Sequence, residues 1–224
     1  MKIVALLPMK GNSERVPNKN LKDFSGKPLY HRVMETLLNS AYIDTVVVNT
    51  DSEAIKSDLK KYFEGKVVVI NRPSEIIGDF VSMNKIIECD INNIEADFYL
   101  QTHSTNPLLK TESVNQAIEK MIALSENKEF DSIFSVTKLQ TRLYNSDGVP
   151  FNHNPEELLR TQDLEPLYEE NSNFYIFTKR SFVNSGGKRI GLKPFMFEID
   201  KIEAVDIDEP QDFIIAESLF KLLS

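Results

Sequence analysis

Only one cysteine, Cys89, occurs among the 224 residues. An internal disulfide and a cysteine-based zinc site are excluded, and a reducing, cytoplasmic location is the simplest expectation. The three histidines, His31, His103 and His153, are scattered without metal-ligand spacing. Tryptophan is absent and glycine is scarce. No Gly-x-x-x-x-Gly-Lys-Ser/Thr loop, no Gly-x-Gly-x-x-Gly turn and no Gly-x-Ser-x-Gly elbow occurs. These absences argue against P-loop NTPases, the usual dinucleotide fingerprint and the nucleophile elbow of serine hydrolases. No apolar run approaches a membrane span. The first such run, Ile3–Leu7, is too short for a signal-peptide core and stops at Pro8, so a soluble chain without a membrane partner is expected. Positive charge is also in short supply. Lys and Arg number 26 against 34 Asp and Glu, a net charge of -8. That balance argues against a nucleic-acid-coating surface, which rests on phosphate neutralisation. A small anion in one basic pocket remains compatible with it.

What is present alternates between strand and helix patterns. Apolar runs at Ile3–Leu7, Thr45–Asn49, Val67–Ile70, Phe98–Gln101, Ser132–Val136 and Asn173–Phe177 read as strands, with shorter candidates at Phe195–Ile199 and Ala204–Ile207. Between them, Pro28 opens a helix to Ser40, Asp51 or Ser52 caps Glu53–Phe63, Ser82 precedes Met83–Ile94, and Thr111 caps a helix to Leu124. Pro210 opens a last helix, Gln211–Leu223. Such alternation predicts an α/β fold, a mostly parallel sheet sandwiched by helices, in a single domain spanning 1–224. The stretch Lys138–Glu170, rich in proline and charge, breaks the rhythm and reads as an excursion or arm.

Five constellations carry candidate chemistry. Directly after the first strand comes a cationic loop with Lys10, Ser13, Arg15, Lys19 and Asn20, at the strand end where open α/β sheets bind ligands. In an acidic chain this suits a polyphosphate; the plainer reading is a surface loop. The segment Ala204–Pro210 alternates Asp206 and Asp208 with apolar residues. On a strand both carboxylates would face one side and suit a magnesium ion completed by substrate phosphates. Against this stands an edge residue followed by a helix cap. Gln101–Leu108, including His103, offers amides and hydroxyls to a sugar or base edge, or simply a capped turn. Arg72 follows the third strand and is suited to phosphates, or to a surface ion pair. Asn171 and Asn173 flank a later strand and contact ligand hydroxyls or end a turn.

The run Leu7–Asn20, continued by Ser25-Gly26-Lys27-Pro28-Leu29, resembles the N-terminal signature of the acylneuraminate cytidylyltransferases, the CMP-sialic acid synthetase family. Asn49-Thr50-Asp51-Ser52, Arg72-Pro73-Ser74-Glu75 and Val205-Asp206-Ile207-Asp208 fall in that family's order. The resemblance covers most of the chain and is weakest across Lys138–Glu170 and Ser185–Pro194. It implies a Rossmann-like nucleotidyltransferase fold, CTP as nucleotide and a 2-keto-3-deoxy sugar acid as acceptor. It further implies that Lys10 contacts the triphosphate, that Ser13, Lys19, Asn20, Arg72 and Ser82 bind the nucleotide, that Asp206 and Asp208 hold magnesium, and that Asn171 contacts the sugar. The family's arm, here 138–170, implies a homodimer. Two departures mark a variant member. Glu14-Arg15 replaces a lysine and glycine of the sialic acid enzymes, and the spacing from Gln101 to Pro107 is longer, so that either Gln101 or His103 takes the sugar-contacting role.

The expected reaction is in-line attack of the anomeric hydroxyl on the α-phosphorus of CTP. Lys10, Arg15 and Lys19 then stabilise the departing pyrophosphate, and a magnesium ion sits on Asp206 and Asp208. Two alternatives compete: a nucleotidyltransferase for another acceptor such as a sugar phosphate, and a non-catalytic binding relative. A carboxylate-binding arginine in the sugar pocket would separate the first, and no motif in the sequence places one.

Overall fold

The computed structural model describes residues 1–223. In chain order, the strands are β1 Ile3–Leu6, β2 Asp23–Phe24, β3 Lys27–Pro28, β4 Thr45–Thr50, β5 Val67–Asn71, β6 Phe98–Thr102, β7 Ser132–Leu139, β8 Leu167–Phe177 and β9 Pro194–Glu198. The helices are α1 Leu29–Leu38, α2 Glu53–Phe63, α3 Met83–Asn93, α4 Thr111–Asn127, α5 Lys179–Asn184 and α6 Pro210–Leu223. Seven strands form one sheet in the order β5-β4-β1-β6-β8-β7-β9, while β2 and β3 pair as a separate small ribbon. Neighbours pair in parallel except at β8, which is antiparallel to both β6 and β7. This is the mostly parallel, helix-covered sheet expected from the alternation of patterns.

The strand residues divide between two helical layers, as a period of two requires. Ile3, Ala5 and Leu7, with Val46, Val48 and Leu100, pack against α1, α2 and α4. Val4, Leu6, Val47 and Tyr99 pack the other way, against Ile87 and Ile91 of α3 and Phe182 of α5. The central strands β1 and β4 are buried on both faces, which explains their near-continuous apolar sequences. The chain leaves β1 for β4 on one side, and β6 lies on the other. Their carboxyl ends therefore open onto the crevice where such sheets bind ligands.

Three expectations are corrected. Ala204–Ile207 is not a strand. Ala204 and Val205 turn back on Asp200 and Ile202 at 3.1 and 3.3 Å, and Ile207 N–H donates to the Thr105 carbonyl at 2.9 Å. The alternating Val205 and Ile207 instead serve a third small core with Val16, Phe24, Leu29, Phe213 and Ala216. Thr111 does not cap α4: Lys110 holds the cap position, and the Thr111 hydroxyl donates to the Thr36 carbonyl at 3.1 Å. The excursion is shorter than 138–170, because β7 extends through Leu139 and β8 begins at Leu167. Between them residues 140–166 form a loop with one isolated antiparallel bridge, Tyr144 to Pro150, and one 3-10 turn, Thr161–Asp163. Elsewhere Ser52, not Asp51, caps α2, accepting from Ile55 N–H at 3.3 Å.

Candidate active site

A cleft of about 510 Å³ opens at the carboxyl ends of β1 and β6. Its first wall is the loop after β1. That loop is fastened from below: the Gly11 N–H donates to Asp51 Oδ1 at 2.7 Å, and the Asn20 amide donates to the Lys10 carbonyl at 3.0 Å while its oxygen accepts from Ser104 at 2.6 Å. Gly11 is needed here because a Cβ would come within 2.9 Å of the Ser52 Cβ. Lys10, Ser13, Glu14, Arg15, Lys19 and Asn20 all face the cleft. Arg72, on the turn after β5, completes this cationic wall, its Nη2 donating to the carbonyls of Asn49 at 2.9 Å and Met9 at 3.2 Å. Burial lowers the pKa of both Lys19 and Arg72 from their ordinary values.

Each exposed cation of this wall already holds a carboxylate. Lys10 pairs with Asp79 at 2.7 Å, and Arg15 pairs with Glu209 at 3.1 Å and Asp208 at 3.6 Å. Lys19, nearly buried, donates to the Ile207 carbonyl at 2.5 Å and lies 3.7 Å from Asp208. Asp206 and Asp208 thus reach the cleft from an extended segment rather than a strand, held by the Ile207–Thr105 bond. Buried Glu203 anchors the preceding turn by accepting from Lys110 N–H and the Ser113 hydroxyl, both at 3.0 Å. Desolvation raises the pKa of Asp206, and the adjacent Asp208 charge raises it further. Two neighbouring carboxylates, both still open to solvent on the cleft side, form a donor set suited to a hard divalent cation. Among the described residues no group of three or more His, Cys, Asp or Glu side chains is placed to hold a metal, so phosphate oxygens would have to complete such a shell.

The opposite end of the cleft is built on Arg189, a residue to which no sequence motif points. It sits on the turn after α5, its guanidinium stacked 3.7 Å from the Tyr175 ring centroid. Its Nη1 donates to Gln101 Oε1 at 2.5 Å and lies 3.4 Å from His103 Nε2. No carboxylate forms a salt bridge with it among the described residues, and burial lowers its pKa. Desolvation, then the charges of Arg189 and Lys19, push the His103 imidazole down to about 3. His103 is therefore neutral at physiological pH and serves as a hydrogen-bonding group.

Of the residues singled out from sequence, Lys10, Ser13, Arg15, Lys19, Asn20, Arg72, His103, Asp206 and Asp208 converge on this cleft. Four do not line it, among them Asn173, which is fully buried with its amide donating to the Glu203 carbonyl at 2.6 Å. Gln101 is fully buried and accepts from Arg189. The Asn171 amide is consumed by Ser135 at 2.6 Å and Thr137 at 2.9 Å across the β7–β8 ladder, while its neighbour Ser172 reaches the cleft. Ser82 precedes α3 and lines an adjoining depression shared with Arg189 and Met83.

The profile of a family described as cytidylyltransferase matches residues 4–219. A pseudaminic acid cytidylyltransferase of Campylobacter jejuni is 28% identical, over 99% of this chain and 97% of that protein. A CMP-N,N'-diacetyllegionaminic acid synthase of Legionella pneumophila is 27% identical over the same shares of the two chains. An N-acylneuraminate cytidylyltransferase A of Danio rerio is 29% identical over 96% of this chain and 50% of its own length. Among solved structures, a CMP:2-keto-3-deoxy-manno-octonic acid synthetase complexed with CTP superposes over the whole of both chains with a TM-score of 0.73 at 16% identity. A 4-diphosphocytidyl-2C-methyl-D-erythritol synthase from Anaerococcus prevotii superposes at 0.67 over 98% of this chain and 96% of its own, at 11% identity. These two likenesses bear on the fold, which is the Rossmann-like nucleotidyltransferase fold. With a cationic cleft at the switch point of that sheet and a family match over nearly its full length, the chain belongs to the cytidylyltransferase family, among the relatives of the CMP-sialic acid synthetases, and is a nucleotidyltransferase.

Proposed function

We propose that this enzyme transfers CMP from CTP to the anomeric hydroxyl of a 2-keto-3-deoxy sugar acid of the nonulosonic class, releasing pyrophosphate. The observation that carries this reading is the division of the cleft into two anion sites around a carboxylate pair. At one end Lys10, Arg15, Lys19 and Arg72 offer charge to a triphosphate. At the other, Arg189 is a desolvated guanidinium that pairs directly with no carboxylate among the described residues, the charge of Glu170 acting on it only from beyond ion-pair distance. A planar guanidinium held on an aromatic ring matches a carboxylate bidentately, so the acceptor is read as a sugar acid. The curated relatives with pseudaminic, legionaminic and acylneuraminic names support the same class.

In this scheme Lys10 and Arg15 exchange Asp79 and Glu209 for phosphate oxygens when CTP enters. Arg72 and Lys19 hold the phosphates from their half-buried positions, and Ser13 and Asn20 line the nucleotide side. Arg189, kept in place by Gln101 and Tyr175, fixes the acceptor's carboxylate, with neutral His103 beside it as a hydrogen-bonding partner. The anomeric oxygen forms a bond to the α-phosphorus, and the bond from that phosphorus to the β-phosphate bridging oxygen breaks. The hydroxyl proton leaves to solvent as the new bond forms. Positioning and charge stabilisation supply most of the rate. Asp206 and Asp208 would hold magnesium, which supplies charge neutralisation on the phosphates and acidifies the attacking hydroxyl.

A cytoplasmic homodimer completes the proposal. The excursion exposes Tyr144, Val149, Phe151, Leu158 and Leu159, with Leu158 88% exposed, and the proposal takes these side chains as the contact surface. The single cysteine fits a reducing compartment, and among the described residues no helix is long and apolar enough to cross a membrane. The test is pyrophosphate release with magnesium, each nucleoside triphosphate in turn, and a panel of sialic, legionaminic, pseudaminic and other ulosonic acids beside sugar phosphates. Release with CTP and a nonulosonic acid is expected. Release only with a sugar phosphate, or with no acceptor, overturns the reading. Sedimentation of Phe151→Ser/Leu158→Ser against wild type tests the dimer.

A further inference from the structure

Behind the cationic wall lies a buried carboxyl that the reaction above does not use. Asp90, on α3, has no exposed surface. Its Oδ1 accepts from the Asn49 amide nitrogen at 2.6 Å, and its Oδ2 is buried without a hydrogen-bond partner. Burial pushes this carboxyl up to about 7, against the opposing pull of Asn49 and the Arg72 charge. Asn49 is itself fully buried on β4, and its Oδ1 accepts from Arg72 Nε at 2.9 Å. Three side chains from three elements thus form one line, Asp90 to Asn49 to Arg72, ending at the cleft.

The chemistry of an amide gives this line a direction. Arginine only donates, so Asn49 must present its oxygen to Arg72. Its NH2 then faces Asp90, which must accept. Asp90 does so through Oδ1 whether it is ionised or carries a proton on Oδ2. Without an acceptor at position 90, a buried NH2 is left unsatisfied, a costly arrangement. The amide then leaves its place to find an acceptor, and the oxygen that receives Arg72 Nε–H is no longer held. The other charged or titratable groups acting here are Asp51 on Arg72, and Cys89 and Glu75 beside them. None of them offers Asn49 a second acceptor.

We propose that Asp90 is a positioning residue for the nucleotide: through the Asn49 amide it fixes the Arg72 guanidinium at the cleft wall. The proposal rests on the reading of Arg72 as a ligand of CTP, and the experiment separates the two. Initial rates are measured with CTP varied and the acid sugar saturating, then the reverse, for Arg72→Ala, Asp90→Leu, Asp90→Asn and Asn49→Ala. Leucine fills the space and removes the acceptor, whereas asparagine keeps a carbonyl oxygen for the Asn49 NH2. Asp90→Leu should raise KM for CTP roughly tenfold, the scale of a lost hydrogen bond to a charged group, with kcat and the acid sugar's KM within about twofold. Asp90→Asn should restore the wild-type KM for CTP. If Asp90→Leu does not fold, Asn49→Ala breaks the same line and should raise KM for CTP alike. A KM for CTP unchanged by Arg72→Ala overturns the role of Arg72, and the proposal with it. An effect of Arg72→Ala with none from Asp90→Leu or Asn49→Ala overturns the relay alone. Melting temperatures that fall in the position-90 variants without a change in KM assign Asp90 to the core only.

Discussion

Asp90→Asn should make the protein more stable above neutral pH and change little in acid. The wild-type carboxyl is fully buried and titrates at about 7, against an ordinary value of 3.8. For an acid whose folded pKa is raised, the folded state binds more protons than the unfolded state between the two values. Its favourable contribution is complete below about pH 4 and is lost as pH rises to about 7. One pKa unit corresponds to about 1.4 kcal/mol, so the whole loss is about 4 kcal/mol. An amide at position 90 carries no such dependence. Its extra NH2 occupies the place of the unpartnered Oδ2 and adds an offset that is independent of pH. The assay is urea unfolding, followed by circular dichroism, of wild type and variant at half-unit steps from pH 4.5 to 8. The difference in unfolding free energy should tilt toward the variant by about 1.4 kcal/mol per pH unit and level off above pH 7. Contributions common to both proteins cancel in that difference. A difference that stays flat across the range refutes the buried-carboxyl argument.

Three further outcomes are expected. Arg189→Ala should raise KM for the acid sugar roughly a hundredfold, the scale of a lost charge-assisted pair, and leave KM for CTP within about twofold; Arg189→Lys should fall between, and equal effects on both substrates in pyrophosphate-release kinetics would remove Arg189 from the acceptor site. Asp208→Ala should abolish turnover while the circular dichroism spectrum is retained, and near-wild-type turnover would sink the metal assignment. Gly191→Ala should destabilise the fold by roughly 1–3 kcal/mol, because Gly191 has φ +71° and a Cβ would meet Asp131 Oδ1 at 2.3 Å. The same change should raise KM for the acid sugar by displacing the turn that carries Arg189, and an unchanged KM in the folded variant would show that this turn does not set the guanidinium.

Much of the architecture was legible because the signals were local. The β-branched runs of β4 and β5, the Ser52 cap of α2 and the proline opening α6 each state their element within a few residues. The loop after β1 was legible for the same reason, since its cations follow directly on a strand end. Asp206 and Asp208 were recognised as a pair through the wrong local structure. The alternation of Val205 and Ile207 reports burial, and a period of two does not distinguish a sheet from an extended segment packed on α6. Asn171 misled in the opposite way, because asparagine serves a ligand and a strand ladder with the same amide.

The sequence by itself determined the alternation of strands and helices, the cationic loop and the pair of aspartates, because each is encoded in neighbouring residues. Only the tertiary structure decided which of these meet in one cleft. It joined Arg189 to Gln101, 88 positions apart, and Arg72 to Asn49, 23 apart. Both contacts arise where separate strands and turns end at the same rim of the sheet, and no local pattern records that convergence. It also paired Lys10, Arg15 and Lys19 with carboxylates up to 194 positions distant, so the charges of the opening loop are already balanced within the fold.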